Sequence, residues 1–134
     1  MRTAKQRKVL DSFALLAYLK MEGGFAKVKS ILGSRDSIVM MNEINIGETY
    51  YILARERGLD KATYFADIIL PSLPITPVSN TFKEVLQAAR IKAENSLSFA
   101  DCFAVATAIG QEAIVITGDP EFKKVSHLVE IDLV

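Results

Sequence analysis

KVLDSFALLAYL, residues 8–19, decides the reading of this chain: a short apolar run, one carboxylate at its end, then a second apolar run of helical length. KVLD (8–11) reads as a strand, and Ser12 or Asp11 can cap a helix running to about Met21. Asp11 is the only charge between Lys8 and Lys20. Ionised groups are rarely kept in apolar surroundings unless something pairs with them. A bound cation is one candidate partner.

The same isolation recurs three times. Glu48, in INIGETYYILA, is the only charge between Glu43 and Arg55, and Asp101, in SLSFADCFAVATA, is the only one between Glu94 and Glu112. Asp119 follows the apolar run AIVIT (113–117) in AIVITGDPEF.

Around these acids, strands and helices alternate. Gly23-Gly24 breaks the first helix, and FAKVKSIL makes a second that ends at Gly33. SIVMM (37–41) is a buried strand, followed by a helix from about Asn42 to Arg57 that Gly58 stops. LDKATYFADIIL is the next helix, ended by Pro71 and Pro74. PITPV (74–78) is a proline-flanked edge strand. Ser79 or Asn80 opens a helix carrying Phe82, Val85, Leu86 and Ala89 at helical spacing. ENSLS bends, Ser98 caps FADCFAVATAIG, AIVIT is a buried strand, TGDP a turn and LVEIDLV the last strand. Strands separated by helices predict an α/β fold: a three-layer α/β/α sandwich with a central, mainly parallel five-stranded sheet, residues 1–134 forming one domain.

Composition narrows the function classes. The 134 residues are 50% hydrophobic and 24% charged, a globular balance. Sixteen basic and sixteen acidic residues cancel, which argues against a strongly cationic DNA coater but not against a nuclease. One Cys and one His exclude an internal disulfide, a Cys/His zinc site and a catalytic histidine pair. Cys102 reads as a small core residue and His127 as a turn or strand-end residue. The start, MRTAKQRK before VLDSFALLAYL, superficially resembles a signal peptide, but Asp11 interrupts the apolar run and no small-residue cleavage site follows. No segment approaches the ~18–20 apolar residues of a membrane span. The expectation is a cytoplasmic protein without membrane association.

Asp11 ends the first strand and Asp119 lies two residues beyond AIVIT, so both are expected at one rim, outside the carboxyl ends of the strands. Glu48, with Ile44, Tyr51 and Ile52 around it, and Asp101, with Leu97, Ala104 and Val105, are each expected on an apolar helix face. Four acids from four segments can then meet. At ~6 Å and an effective dielectric of ~20, each pair costs about 3 kcal/mol. Six pairs give an upper bound of roughly 15–20 kcal/mol, beyond a domain's net stability of ~5–15 kcal/mol. Either some acids are protonated or a divalent ion compensates them. Oxygen-only ligation suits Mg²⁺ or Mn²⁺. Each acid also has a structural alternative. Asp11 can be a helix N-cap, Asp119 an Asx-turn residue opening DPEFKK, and Glu48 a partner of Arg55. Asp101, alone inside FADCFAVATA, has the least structural purpose.

These four residues carry a resemblance. Over nearly its whole length the chain resembles PIN-domain ribonucleases, most closely the VapC-like toxins of type II toxin–antitoxin pairs. In that family a strand ending in Asp before Ser or Thr supplies the first ligand, here Asp11 with Ser12. A helix with Glu before an aromatic or apolar run supplies the second, here Glu48 in NIGETYYILAR, with Glu43 close by. The S-x-A-D pattern is SFAD, giving Ser98 and Asp101; the T-x-D turn is TGDPEF, giving Thr117 and Asp119. Glu121 stands where some members carry a further acid, and the basic start lies outside the motif.

The resemblance implies a Mg²⁺- or Mn²⁺-dependent endoribonuclease leaving 5′-phosphate and 3′-hydroxyl ends. Asp11 and Asp101 would hold the principal ion, Glu48 and Asp119 would complete the set, and Ser12, Ser98 and Thr117 would orient these ligands. It further implies an RNA substrate, a small antitoxin partner and a homodimer. Arg55, Arg57, Lys61, Lys123 and Lys124 are cations that can face RNA or plain solvent, while Tyr50, Tyr51 and Phe99 read as core or interface. Two other readings compete. A non-catalytic PIN-like interaction module would use apolar helices such as FALLAYL and YFADIIL. An Asp-based phosphatase would want D-x-D after the first strand, where Asp11 is followed by Ser12 and Phe13.

Overall fold

A computed structural model describes residues 4–134. Five parallel strands form one sheet in the order β3-β2-β1-β4-β5, comprising β1 (Gln6–Leu10), β2 (Ser37–Asn42), β3 (Ile75–Val78), β4 (Ile114–Thr117) and β5 (Ile131–Leu133). From β1 the chain winds outward through β2 to β3, then crosses back to β4 and continues outward to β5. The winding therefore reverses between β1 and β4, which opens a crevice at their carboxyl ends.

Period-two alternation along the strands builds two cores. Val9, Met40 and Val115 face one side, with Phe103, Val105 and Phe122. Leu10, Val39, Met41, Ile75 and Ile116 face the other, with Leu15, Val28 and Phe65. The first core is covered by α6 (Phe82–Glu94) and α7 (Phe99–Gln111). The second is covered by α1 (Ser12–Leu19), α2 (Phe25–Gly33), α3 (Glu43–Arg57) and α4 (Leu59–Tyr64). The result is the three-layer α/β/α sandwich, its sheet parallel throughout.

Several boundaries differ from the sequence reading. β1 starts at Gln6, two residues before KVLD, because Gln6 pairs with Ser37 and its N–H donates to the Asp36 carbonyl at 2.7 Å. Part of the basic start is thus strand, while residues 1–3 lie outside the described residues. Pro71 does not end its helix. A π turn, Phe65–Ile69, follows α4 and leads into a last short turn, α5 (Leu70–Ser72), with the Leu70 N–H reaching the Phe65 carbonyl. Pro71 has no N–H to give and would crowd the carbonyl four residues back, which a wider turn relieves. The last strand is shorter than LVEIDLV, and a 3₁₀ turn, Pro120–Val125, buries Phe122 and Val125 before it.

The N-cap of α6 is Thr81 rather than Ser79 or Asn80. Its hydroxyl accepts from the Glu84 N–H at 3.2 Å while the Glu84 carboxylate accepts from the Thr81 N–H at 3.1 Å. This reciprocal box satisfies two donors with no intrahelical partner. Thr81→Ala is expected to lower unfolding free energy by about 1 kcal/mol, read from the urea midpoint at unchanged m-value.

Candidate active site

The β1–β4 crevice positions the first acid. Leu10 pairs with Ile116, and the chain leaves both strands at the same level. Asp11, 1% exposed, follows β1 and caps α1, accepting from the Ala14 N–H at 2.8 Å. Its second carboxylate oxygen accepts from the hydroxyl of Thr117, the last residue of β4. Asp11 is therefore both the helix cap and an acid of the rim; the two readings do not compete. The Thr117 hydroxyl also accepts from the Asp119 N–H at 3.0 Å, which folds the TGD turn back over the strand end. The ring of Phe13 occupies the space above Gly118. A Cβ at that glycine would lie 2.3 Å from the ring, so a residue without a side chain lets the turn sit against α1.

Glu48 and Asp101 arrive on α3 and α7, which pack together. The Ser12 hydroxyl donates to Glu48 at 2.5 Å, joining the start of α1 to α3. Glu43, exposed in the first turn of α3, has no part in that contact. Arg55 lies over the Tyr51 ring at 5.0 Å, so it is turned to the aromatic rather than paired with Glu48. Ser98 caps α7, its hydroxyl accepting from the Asp101 N–H at 3.2 Å. Asp101 has buried Leu97, Ala104 and Val105 about it, as expected. For Glu48 the expectation fails: Ile44 and Tyr51 are 42% and 44% exposed. The buried line of α3 runs instead through Asn45, Thr49 and Leu53, polar toward the rim and apolar only at its far end.

Asp119 caps the 3₁₀ turn, accepting from the Glu121 N–H at 2.9 Å, as its turn-opening reading expected. Glu121 points to Lys124, with which it forms an ion pair. Sequence reasoning missed a set of buried polar residues behind the acids. Asn42, 1% exposed, ends β2 and donates to Asn80 at 2.7 Å and to Thr107 of α7 at 2.9 Å. Its own side-chain oxygen caps α3 through the Ile44 N–H at 2.9 Å. Polar residues in a predicted strand end and helix stripe were the available signal. Phe99 is 47% exposed and Tyr51 44%, so neither ring is core within this chain. Cys102 is fully buried, as read.

The charges feel one another. Burial pushes Asp11 up to about 7, against the pull of its Thr117 and Ala14 hydrogen bonds, and the charges of Asp101 and Asp119 add to the rise. Burial likewise takes Asp101 up to about 6, opposed by Ser98 and reinforced by Glu48 and Asp119. All four acids are thus within electrostatic reach of at least one other. Among the described residues, however, no three Asp, Glu, His or Cys side chains stand close enough together to form a ready-made metal cage. Three of the four carboxylates are instead tied to a hydroxyl or an amide: Asp11 to Thr117, Glu48 to Ser12, Asp119 to Glu121. Oxygen-only donors on a shared rim, two of them driven toward protonation by burial and like charge, fit a hard divalent cation as the missing counter-charge.

Both folded-state pKa values lie above the ordinary carboxylate value, so folding favours the protonated acids. That stability is full below about pH 4 and is lost as pH rises through about 6 for Asp101 and about 7 for Asp11. With a chelator present, the melting temperature is expected to fall between about pH 5 and about pH 8. Asp11→Asn should remove the larger part of that fall; an undiminished fall would assign it to other groups.

Comparisons with known proteins add the family. The PIN domain family model matches residues 8–128. No curated protein sequence matches the chain. Among solved structures, the Mycobacterium tuberculosis toxin VapC20, described as cleaving the sarcin-ricin loop, superposes with a TM-score of 0.75. It is 22% identical, over 92% of this chain and 97% of that one. VapBC2 from Rickettsia felis, bound to a promoter DNA fragment, gives a TM-score of 0.74 at 15% identity, over 96% and 99%. FitAcB from Neisseria gonorrhoeae gives 0.67 at 21% identity, over 92% and 95%. At these identities the neighbours speak for the fold, and the family match covers the strands and helices that carry all four acids. The chain belongs to the PIN domain family.

Proposed function

We propose that this chain is a Mg²⁺- or Mn²⁺-dependent endoribonuclease, the VapC-like toxin of a toxin–antitoxin pair acting in the cytoplasm. The observation that carries the reading is the carboxylate of Asp11, 1% exposed at the β1–β4 crevice and raised in pKa by burial and by two further acids. A group held that way is costly unless a cation is its partner.

Asp11 and Asp101 would hold the principal ion, with Glu48 and Asp119 completing the set. A divalent ion there would acidify water and offset charge developing on the scissile phosphate. The chain's own residues set the geometry. Thr117 and the Ala14 amide orient the two oxygens of Asp11, Ser12 orients Glu48, and Ser98 anchors the turn that carries Asp101. With the ligands held in place before substrate arrives, little reorganisation remains for the transition state. Hydrolysis would leave 5′-phosphate and 3′-hydroxyl ends. Arg57 and Lys123, exposed at the end of α3 and in the 3₁₀ turn after Asp119, are candidates for holding flanking phosphates.

The toxin reading draws on neighbours described as toxins or toxin–antitoxin complexes. A surface for an antitoxin or a second copy is available: Leu59, Tyr64 and Ile68 are 67%, 55% and 54% exposed along α4 and its π turn. Among the described residues no helix is long and apolar enough to cross a membrane.

Asp101→Asn is expected to lower Mg²⁺-dependent RNA cleavage by roughly 100-fold or more while the circular dichroism spectrum stays native. Undiminished cleavage would remove Asp101 from its role. Mn²⁺ should raise the wild-type melting temperature most above about pH 7, where the acids are ionised. Mn²⁺ binding without any RNA cleavage would favour the interaction module.

A further inference from the structure

We infer that Asn45 is a positioning residue: it ties α3 to the first turn of α7 and so sets the separation of Glu48 and Asp101. The inference rests on the proposed metal-dependent reading and adds to it a residue outside the acid set and outside the hydroxyls that touch it.

Asn45 is fully buried, on the inner line of α3. Its side-chain amide donates to the carbonyl of Ala100 at 2.9 Å, the residue just before Asp101. Its backbone carbonyl accepts from the Thr49 hydroxyl at 2.9 Å, next to Glu48. One residue therefore touches both acid-bearing helices beside their acids. Glu48 is three residues further along α3, a rise of about 4.5 Å on a rigid helix, and Asp101 follows its contact directly. Any slide of α3 along α7 would break this bond and change the Glu48–Asp101 distance together.

The other end of the amide makes the case. The Asn45 Oδ1 is buried with no hydrogen-bond partner, alone among the buried side-chain polar atoms of the described residues. An apolar side chain at this site would avoid that cost, and the Ala100 carbonyl already lies within a helix where a backbone donor serves it. Local rules are broken in this way where function needs the broken group. What the donor end does is cross-link the two helices that carry Glu48 and Asp101, at the residue just before Asp101.

The test is Mn²⁺ binding to the purified full chain, read by the electron paramagnetic resonance of free Mn²⁺, for wild type, Asn45→Leu, Asn45→Ala and Thr81→Ala. Asn45→Leu and Asn45→Ala are expected to weaken Mn²⁺ binding roughly tenfold while remaining folded. Thr81→Ala, destabilised at a remote helix cap, should bind like wild type and so separates positioning from general loss of stability. Wild-type affinity in either folded Asn45 variant overturns the inference. If Asn45→Ala does not fold, Asn45→Leu, which fills the site, decides alone; if neither folds, Asn45→Ser, polar but too short to reach the Ala100 carbonyl, is titrated instead, and wild-type affinity there overturns the inference. A wild-type chain that binds no Mn²⁺ would overturn the metal-dependent reading itself, visible without any variant.

Discussion

The Thr117 hydroxyl donates to a buried carboxylate, Asp11, across the crevice where the winding of the sheet reverses. That single bond holds a charge-bearing group in a place where ionisation is disfavoured by burial and by neighbouring acids. Keeping it there requires β1 and β4 to be adjacent and to end at one level, a register met by Leu10 against Ile116. It also requires α1 to start at Asp11, so that the Ala14 N–H can take the other oxygen. The crevice, the strand register and the helix start are thus one arrangement viewed from three sides.

Around that carboxylate the molecule uses short polar side chains rather than cations. Ser12 holds Glu48, the Ser98 hydroxyl takes the Asp101 N–H, and Asn42 links β2, Asn80 and α7. Of these, the Thr117 and Ser12 hydroxyls are neutral donors that orient the carboxylates of Asp11 and Glu48 without cancelling their charge. Two lysines pair away from these acids: Lys20 with Glu56 at 3.0 Å, and Lys27 with Asp132 at 2.5 Å. Such pairs contribute little to stability. The fold is held instead by its two apolar cores, one on each face of the sheet, and the acids occupy the rim where both cores end.

Caps and rim acids coincide here. Asp11 and Asp119 each close the first turn of the element that follows, and Asp101 sits in the first turn of a helix capped by Ser98. A helix start at the carboxyl end of a parallel strand presents free N–H groups to the crevice, and acids are stabilised beside them. Capping and a place at the rim therefore fall on the same residues, which is why the capping reading of Asp11 or Asp119 could not be ruled out from sequence.

The amino-acid sequence alone determined the order of strands and helices, the layered class of the fold and the identity of the four isolated acids, because period, caps and lone charges are local properties. SFAD and TGDPEF named Ser98, Asp101, Thr117 and Asp119 directly. Local pattern misplaced the cap of α6, lengthened the last strand and put Glu48 on a buried apolar face, since each of those depends on what packs opposite. Only the tertiary structure decided the strand order that puts β1 beside β4, the contact of Ser12 with Glu48 across 36 residues, and the burial of Asn42 and Asn45. Those are consequences of which surfaces meet, and a hydrogen bond between distant segments leaves no mark in the spacing of either one.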